Sequence, residues 1–339
     1  MPIQVNRPRS VVLASLVAVA AASLVACSSG SSDDGTPPRI GAAEPSEAPS
    51  PEGAAQGETV KVGSTPEGIV YDPVTKMLAV GVRNPDRLVL IDATTLTVTK
   101  EIPIKGHVRH LQLAGPGGPV LVPEEDANTL QLVSLPSGEM TGYPVGESPH
   151  DATAVDGGYV AGDEFGKSFT TVLDGTPTTY DKVDQPGGVV GFGTTFALVD
   201  VGNYTVSTWN VADGSRIASV PAGAGPTHGV KVAENRLVVT DTRGGALLTY
   251  SVNPLQQLSS VPLAGGPYGI TVDPSQPVVW VTLTATNQVV GFDVSGDTPR
   301  ELERLSTVWQ PNTVAADGAD VWVTGTLAGN VQHLTRFTS

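Results

Sequence analysis

The chain has a single cysteine, Cys27, so no intramolecular disulfide can form. Its longest apolar run, Val11 to Ala26, falls short of the roughly 20 residues that a comfortable membrane span needs. Positive charge is scarce: 19 Lys and Arg stand against 34 Asp and Glu, a net charge of −15. That balance disfavours nucleic acid and docking onto anionic lipid by charge alone, and it leaves cations or basic partners as the electrostatically favoured ligands. Compact chemical motifs are lacking as well. There is no His-Glu-x-x-His zinc pattern and no Gly-x-Ser-x-Gly elbow. No Lys-Ser/Thr stands beside the glycine turns at Gly117-Gly118 or Gly187-Gly188, and Glu124-Glu125-Asp126 reads as a solvated loop without the ligand pattern of an EF-hand.

At the N-terminus, Arg7 and Arg9 precede the Val11 to Ala26 run, the layout of a secretory signal over residues 1–26. Leu24-Val25-Ala26-Cys27 resembles the bacterial lipoprotein box, which implies cleavage before Cys27 and its acylation. Several acyl chains on one residue, palmitate among them, would hold the protein on the outer face of a cell membrane. Losing Arg7 and Arg9 takes the net charge to −17. Residues 27–57 are rich in Ser, Pro, Gly, Ala and acid with no apolar periodicity, which predicts a disordered tether stiffened by Pro37, Pro38, Pro45, Pro49 and Pro51.

From Glu58 onward the same phrase recurs about every 40 residues, a period that signals a propeller or solenoid. It is clearest at Gly265 to Asp293, where Ile270 to Val272, Val278 to Thr282 and Gln288 to Asp293 read as strands separated by turns. Val278 to Val281 has no polar alternation and suits a strand covered on both faces. Seven copies can be laid down, with opening turns near Pro66, Val108, Pro149, Pro186, Thr227, Pro267 and Pro311, the second and fifth read as lacking an aligned proline. The last copy has room for only three strands. Glu58 to Gly63 precedes Pro66 as Ser259 to Leu263 precedes Pro267, so the N-terminal strand is expected to complete the C-terminal blade and close the ring. The predicted fold is all-β: a seven-bladed β-propeller of four-stranded blades over residues 58–339.

Trp280-Val281-Thr282 with Asn287 to Asp293 resembles the repeat of bacterial YVTN β-propellers, a likeness that extends over Glu58 to Ser339. Blades two to four depart from it, with Pro123, Gly162 and Val199 at the threonine position. The resemblance implies architecture more than chemistry, since binding and lactonase-like members share one scaffold. It also implies that the opening turn and the loop after the second strand lie on one face, around the mouth of the central channel.

Two positions per blade then converge. After the opening turn come Glu67, Arg109, His150, Gly187, His228, Tyr268 and Asn312; closing the second strand come Arg83, Glu124, Asp163, Asp200 and Asp241. A 13-residue spacing separates His150 from Asp163 and His228 from Asp241, which across antiparallel neighbours can place each imidazole beside a carboxylate. Glu67 with Arg83 and Arg109 with Glu124 repeat the idea. These groups read either as solvated pairs trimming a rim or as a site in which His150, His228, Asp163 and Asp241 converge on a divalent cation or polar ligand. Trp309 could add an aromatic wall at the mouth. Trp280 and Trp322 read as blade core, and His110 and His333 as structural.

The expected function is a membrane-tethered binding or scaffold module, a monomer held by Cys27, rather than an enzyme. Its ligand would be a small molecule or an extracytoplasmic protein, with no nucleic acid and a divalent cation as the one candidate cofactor. The alternative is a hydrolase or lyase of lactonase-like type, using a histidine and carboxylate site in the channel mouth.

Overall fold

The computed structural model describes Met1, Gly41–Gly53 and Gln56–Arg336. The chain falls into two units, Met1–Pro37 and Pro38–Ser339, and the account below concerns the second. The expected signal segment, Cys27 and the first part of the tether lie outside the described residues. Among the described residues no helix is long and apolar enough to cross a membrane.

Seven antiparallel four-stranded sheets form the blades of a propeller. Blade one runs Pro66–Asp72, Met77–Val82, Arg87–Asp92 and Thr97–Pro103, and the later blades repeat that order. The first strands pack on one another around the channel. In the seventh blade Glu58–Lys61 pairs with Asn330–Thr335, Glu58 opposite His333 and Lys61 opposite Asn330, so the two ends of the ring share one sheet as expected.

Burial explains why the apolar runs become second strands. Met77–Val82 and Val278–Leu283 are buried at every position because each blade is covered by its two neighbours. An apolar cluster lies at each blade interface. Trp322 packs with Val80 and Val331 between blades seven and one, and Tyr250 with Val199 and Leu237 between blades four and five. Outer strands such as Thr97–Pro103 are mostly exposed.

The repeat threonine has a specific task. Thr240, Thr282 and Thr324 each donate from Oγ1 to a carbonyl on the first strand of the next blade, at Tyr268 (3.0 Å), Asn312 (2.8 Å) and Glu67 (2.8 Å). These bonds satisfy carbonyls that burial would otherwise leave unpaired. Gly81 holds the same register position in blade one, and like Pro123, Gly162 and Val199 it has no hydroxyl to offer, so blades one to four lack the bridge.

Part of the segment expected to be a free tether runs along the mouth face. Ala48 N–H donates to Gln310 Oε1 at 2.8 Å, and Trp309 Nε1 donates to Ala48 O at 3.0 Å. Ala43 and Ala48 are buried.

Candidate functional site at the channel mouth

One backbone hydrogen bond recurs in every blade and sets the register of the mouth. The residue after the second strand donates its N–H to the carbonyl just before the opening turn: Arg83 to Thr65, Glu125 to His107, Glu164 to Ser148, Val201 to Gln185, Thr242 to Gly225, Thr284 to Gly266 and Thr326 to Gln310. Arg83, Glu125 and Glu164 therefore face the mouth together. Glu124 and Asp163 sit one residue earlier and point elsewhere, since successive strand side chains alternate.

The expected pairing of His150 with Asp163 does not form. Asp163 stands opposite Pro149, with a bulge before Asp151, and its Oδ2 accepts from Ser168 Oγ and Thr170 Oγ1 at 3.0 and 2.7 Å. Asp200 likewise accepts the N–H groups of Asp184 and Gln185, and Asp241 those of Ala224, Gly225 and Gly244. All three aspartates brace turns. Glu124 accepts from Lys105 N, so Arg109 meets Glu125 instead, Nε to Oε1 at 3.2 Å. Glu67 and Arg83 do pair, at 2.8 Å.

The second difference is one of depth. Pro226 pairs with Asp241 as Pro149 does with Asp163, so Pro226 is the aligned proline of blade five and Thr227, not His228, belongs beside His150. His228, on the strand Pro226–Ala233, and His110, just before the short strand Gln112–Leu113, both lie deeper, lining the channel. Their Nε2 atoms are 2.7 Å apart and their ring centroids 4.0 Å. His228 Nδ1 lies 3.2 Å from Tyr268 O, which favours a proton on Nδ1 and leaves Nε2 to accept from His110. His110, expected to be structural, is thus part of the centre. His333 bonds Asp320 on the outside of blade seven, at 2.7 Å. Tyr268 sits edge-on to His228 with centroids 4.6 Å apart, and Asn312 contributes its main-chain carbonyl to Thr282.

At the mouth itself, His150 is held between two carboxylates. Its Nδ1 is 2.9 Å from Glu164 Oε2 and 3.4 Å from Glu125 Oε1, and all three residues are buried. His107 approaches Glu125 from above at 2.5 Å, and Gln185 Nε2 donates to Glu164 at 2.8 Å. Glu125, taken from the sequence as part of a solvated loop, is 3% exposed. Its signal was its register with Arg83 and Glu164, not its charge.

These contacts push the groups apart in acidity. Burial alone would lower the His150 pKa, but the contacts with Glu125 and Glu164 outweigh it and raise the ring to about 9. Burial would raise Glu125, yet His107, His150 and Arg109 bring it to about 2. Glu164 is lowered in the same way, whereas Glu67 is raised because burial outweighs its partners Arg83 and Arg109. Deeper in, burial and the charge of His150 lower His228 to about 3, and burial with its histidine neighbours holds His110 well below its ordinary value. A histidine with a raised pKa thus lies next to two with lowered ones, its ring centroid 4.7 Å from that of His110.

Two overlapping groups could hold a divalent ion. One donor atom each from His110, His150 and His228 lies within 4.8 Å of the others, and the same holds for Glu125, His150 and Glu164. Nitrogen donors suit zinc or copper, and carboxylates suit magnesium or manganese. Glu125 Oε1, His150 Nδ1, Glu164 Oε2 and Arg109 Nε are buried and meet one another as ions at 2.9 to 3.4 Å. Asp163 and Asp241 are not placed to join either group.

Two spaces flank the histidines. On the mouth side a pocket of about 20 Å³ remains between Glu44, Arg109, His150, Glu164 and Tyr268. On the other side, beyond His110 and His228, the channel opens into a mostly apolar cavity of about 390 Å³ reached by Ile69, Leu111, Val190 and Ile270.

No protein-family model matches the sequence, and no curated protein does either. Solved structures do. A streptogramin B lyase is similar with a TM-score of 0.68 at 17% identity, covering 82% of this chain and 96% of its own. A catalytically inactive histidine-to-alanine variant of virginiamycin B lyase from Staphylococcus aureus, solved with quinupristin, gives 0.70 at 15% identity over 84% of this chain and 100% of its own. The hydrazine synthase of Kuenenia stuttgartiensis gives 0.70 at 15% over 85% and 100%. At such identities the likeness establishes the fold alone. The expectation of a module that is no enzyme is nonetheless corrected by the site and not by the fold: the mouth carries buried histidine and carboxylate clusters with divergent acidities instead of a solvated rim.

Proposed function

We propose that the protein is an enzyme of the lyase or hydrolase type that works by acid and base chemistry at the channel mouth. The observation that carries this reading is the bracketing of His150 by Glu125 and Glu164, which sets a protonated imidazole near 9 beside a carboxylate near 2. Groups driven apart by their surroundings are the pattern of acid and base division in active sites. His150 would give its proton to a departing oxygen or nitrogen. Arg109, held by Glu125, would steady negative charge on an adjacent carbonyl oxygen. Glu67, raised by burial although paired with Arg83, is held opposite in direction to Glu125 and Glu164 and would accept a proton from carbon or from water.

The lyase form is favoured because no nucleophilic serine elbow occurs and the sole cysteine is Cys27. Elimination needs only these groups: a C–H proton passes to Glu67, the bond to the leaving atom breaks, and His150 protonates that atom. A divalent ion at Glu125, His150 and Glu164 would require a neutral His150, so it would take the place of that acid and polarise the carbonyl itself.

The YVTN-type identity and the surface location belong to the same proposal. Leu24-Val25-Ala26-Cys27 supports an acylated Cys27 that places a monomer on the outer side of a membrane, with a small molecule as its partner. The test is turnover of streptogramin B, quinupristin and simple lactones, followed by mass spectrometry. Elimination opens a ring without changing its mass, whereas hydrolysis adds one water. Turnover lost in His150→Ala is expected; turnover indifferent to that change, or none across the set, overturns the reading.

A further inference from the structure

We propose that the rim of blades four to seven is a groove for an extended peptide main chain, and that Gly41–Pro49 occupies it in cis. This rests on the enzymatic reading for its functional meaning, because the groove leads straight to His150. Seven hydrogen bonds link rim side chains to this strap, and all seven end on strap main-chain atoms. Tyr204 Oη donates to Gly41 O at 2.8 Å, and Arg243 Nη2 to Gly41 O and Ala42 O at 3.1 and 2.9 Å. Gln310 works as a two-pronged reader: its Nε2 donates to Ser46 O at 2.7 Å while its Oε1 accepts from Ala48 N at 2.8 Å. Trp309 Nε1 donates to Ala48 O at 3.0 Å, and Asn287 Nδ2 to Pro49 O at 2.8 Å. Asn287 is itself fixed by Gln310 N, which donates to its Oδ1 at 2.9 Å.

The groove is also cut to fit a backbone. Gly225 and Gly266 precede the opening prolines of adjacent blades. A Cβ on Gly225 would meet Arg243, which grips the strap, at 2.6 Å and Ala43 Cβ at 3.2 Å, and one on Gly266, where φ is +68°, would meet Ser46 Oγ at 3.0 Å and Thr284 Oγ1 at 3.1 Å. Pro45 and Pro49 hold the strap extended, and small residues at 42, 43 and 48 let it lie close. A surface that reads carbonyls and N–H groups rather than side chains suits a class of ligand, small-residue and proline-rich acidic peptide, instead of one sequence.

Position ties the groove to the site. Ala42, Ala43 and Glu44 roof Arg109, His150, Glu164 and Tyr268, leaving about 20 Å³, room for one water. A peptide substrate taking the same path would bring its own main chain, with an acidic residue where Glu44 stands, over His150 and Arg109.

The test uses the full chain and a fluorescein-labelled peptide of residues 41–51, read by anisotropy. In Ala43→Arg with Ala48→Pro, the strap loses its fit and its Ala48 donor while the groove is untouched. Saturable binding to this released chain is expected, at least tenfold tighter than to the wild type, whose groove is filled at high effective concentration. Adding Gln310→Ala, or N-methylating the peptide at the Ala48 position, should weaken binding at least tenfold. Equal binding to wild-type and released chains, or none to either, overturns the proposal. Hydrogen exchange on the wild type checks the cis arrangement independently of those variants: the Ala48 amide should be protected, and exchange at the rate of a free peptide also overturns it. Because every readout is binding or exchange, its failure is distinct from failure of the acid and base chemistry.

Discussion

His150 Nδ1 lies 2.9 Å from Glu164 and not beside Asp163, the residue that stands across the strand pair from its neighbour Pro149. One step in register separates a turn brace from a partner in a buried ionic cluster.

That pairing predicts how stability depends on pH in a chelator-treated sample. The folded pKa of His150, about 9, lies above its ordinary value of 6.5, so its contribution is full below 6.5 and is lost as pH rises through 9. Glu125, lowered from 4.5 to about 2, contributes fully above 4.5 and loses its share as pH falls through 2. The His150 share should therefore appear in thermal melts as an alkaline decline between pH 6.5 and 9 worth about 3 kcal/mol, while His228 and His110, lowered by burial, draw stability down as pH falls below 6.5. His150→Gln should remove the alkaline decline; an unchanged slope in that variant would contradict the assignment.

Threonine bridging gives a prediction remote from the site. Thr282→Val keeps the volume of the side chain but leaves Asn312 O and Gly269 N without their hydroxyl partner. Denaturant unfolding should show a loss of about 1–3 kcal/mol. A loss within error would mean the repeat threonine is not a bridge.

Much of the fold was legible because burial on two faces writes itself as runs such as Val278 to Val281, and because Glu58 to Gly63 had no blade of its own to complete. The mouth was legible only to within a residue. Asp163, Asp200 and Asp241 looked like ligands, yet each begins a turn, Asp-Glu-Phe-Gly, Asp-Val-Gly-Asn and Asp-Thr-Arg-Gly, where Asp200 and Asp241 hold backbone N–H groups and Asp163 holds the hydroxyls of Ser168 and Thr170. Counting from the proline of blade five would have moved His228 one step inward to meet His110. The strap was hidden for a different reason: Gly41–Pro49 is held by its main chain, which composition does not reveal.

Ring closure should be a large share of stability. Deleting Glu58 to Val62 removes the strand paired with Asn330–Thr335 and the buried Val62, at a cost of about 3 kcal/mol or more. Deleting Ser28 to Ile40 should leave the Tm nearly unchanged. Equal melting temperatures for the two deletions would show that the ring does not depend on this strand.

The two candidate ion groups separate by ligand chemistry. Zinc binding, measured by calorimetry, should be lost in His228→Ala, whereas magnesium binding should survive that change and be lost in Glu164→Gln. Identical responses of both ions to both variants would contradict two distinct groups.

The surface location turns on one residue. Intact-mass analysis of the protein from its native membrane should find an acylated N-terminal Cys27, and Cys27→Ser should release the propeller. A mature N-terminus elsewhere would remove the basis for the anchor.

The account rests most heavily on a protonated His150 held by two carboxylates, and NMR titration of the histidine side chains measures it directly. The predicted result is a His150 pKa near 9 in the chelator-treated wild type, falling towards or below 6.5 in Glu164→Gln, with His228 neutral throughout. A wild-type His150 that titrates at or below 6.5 would contradict the proposed acid at the channel mouth.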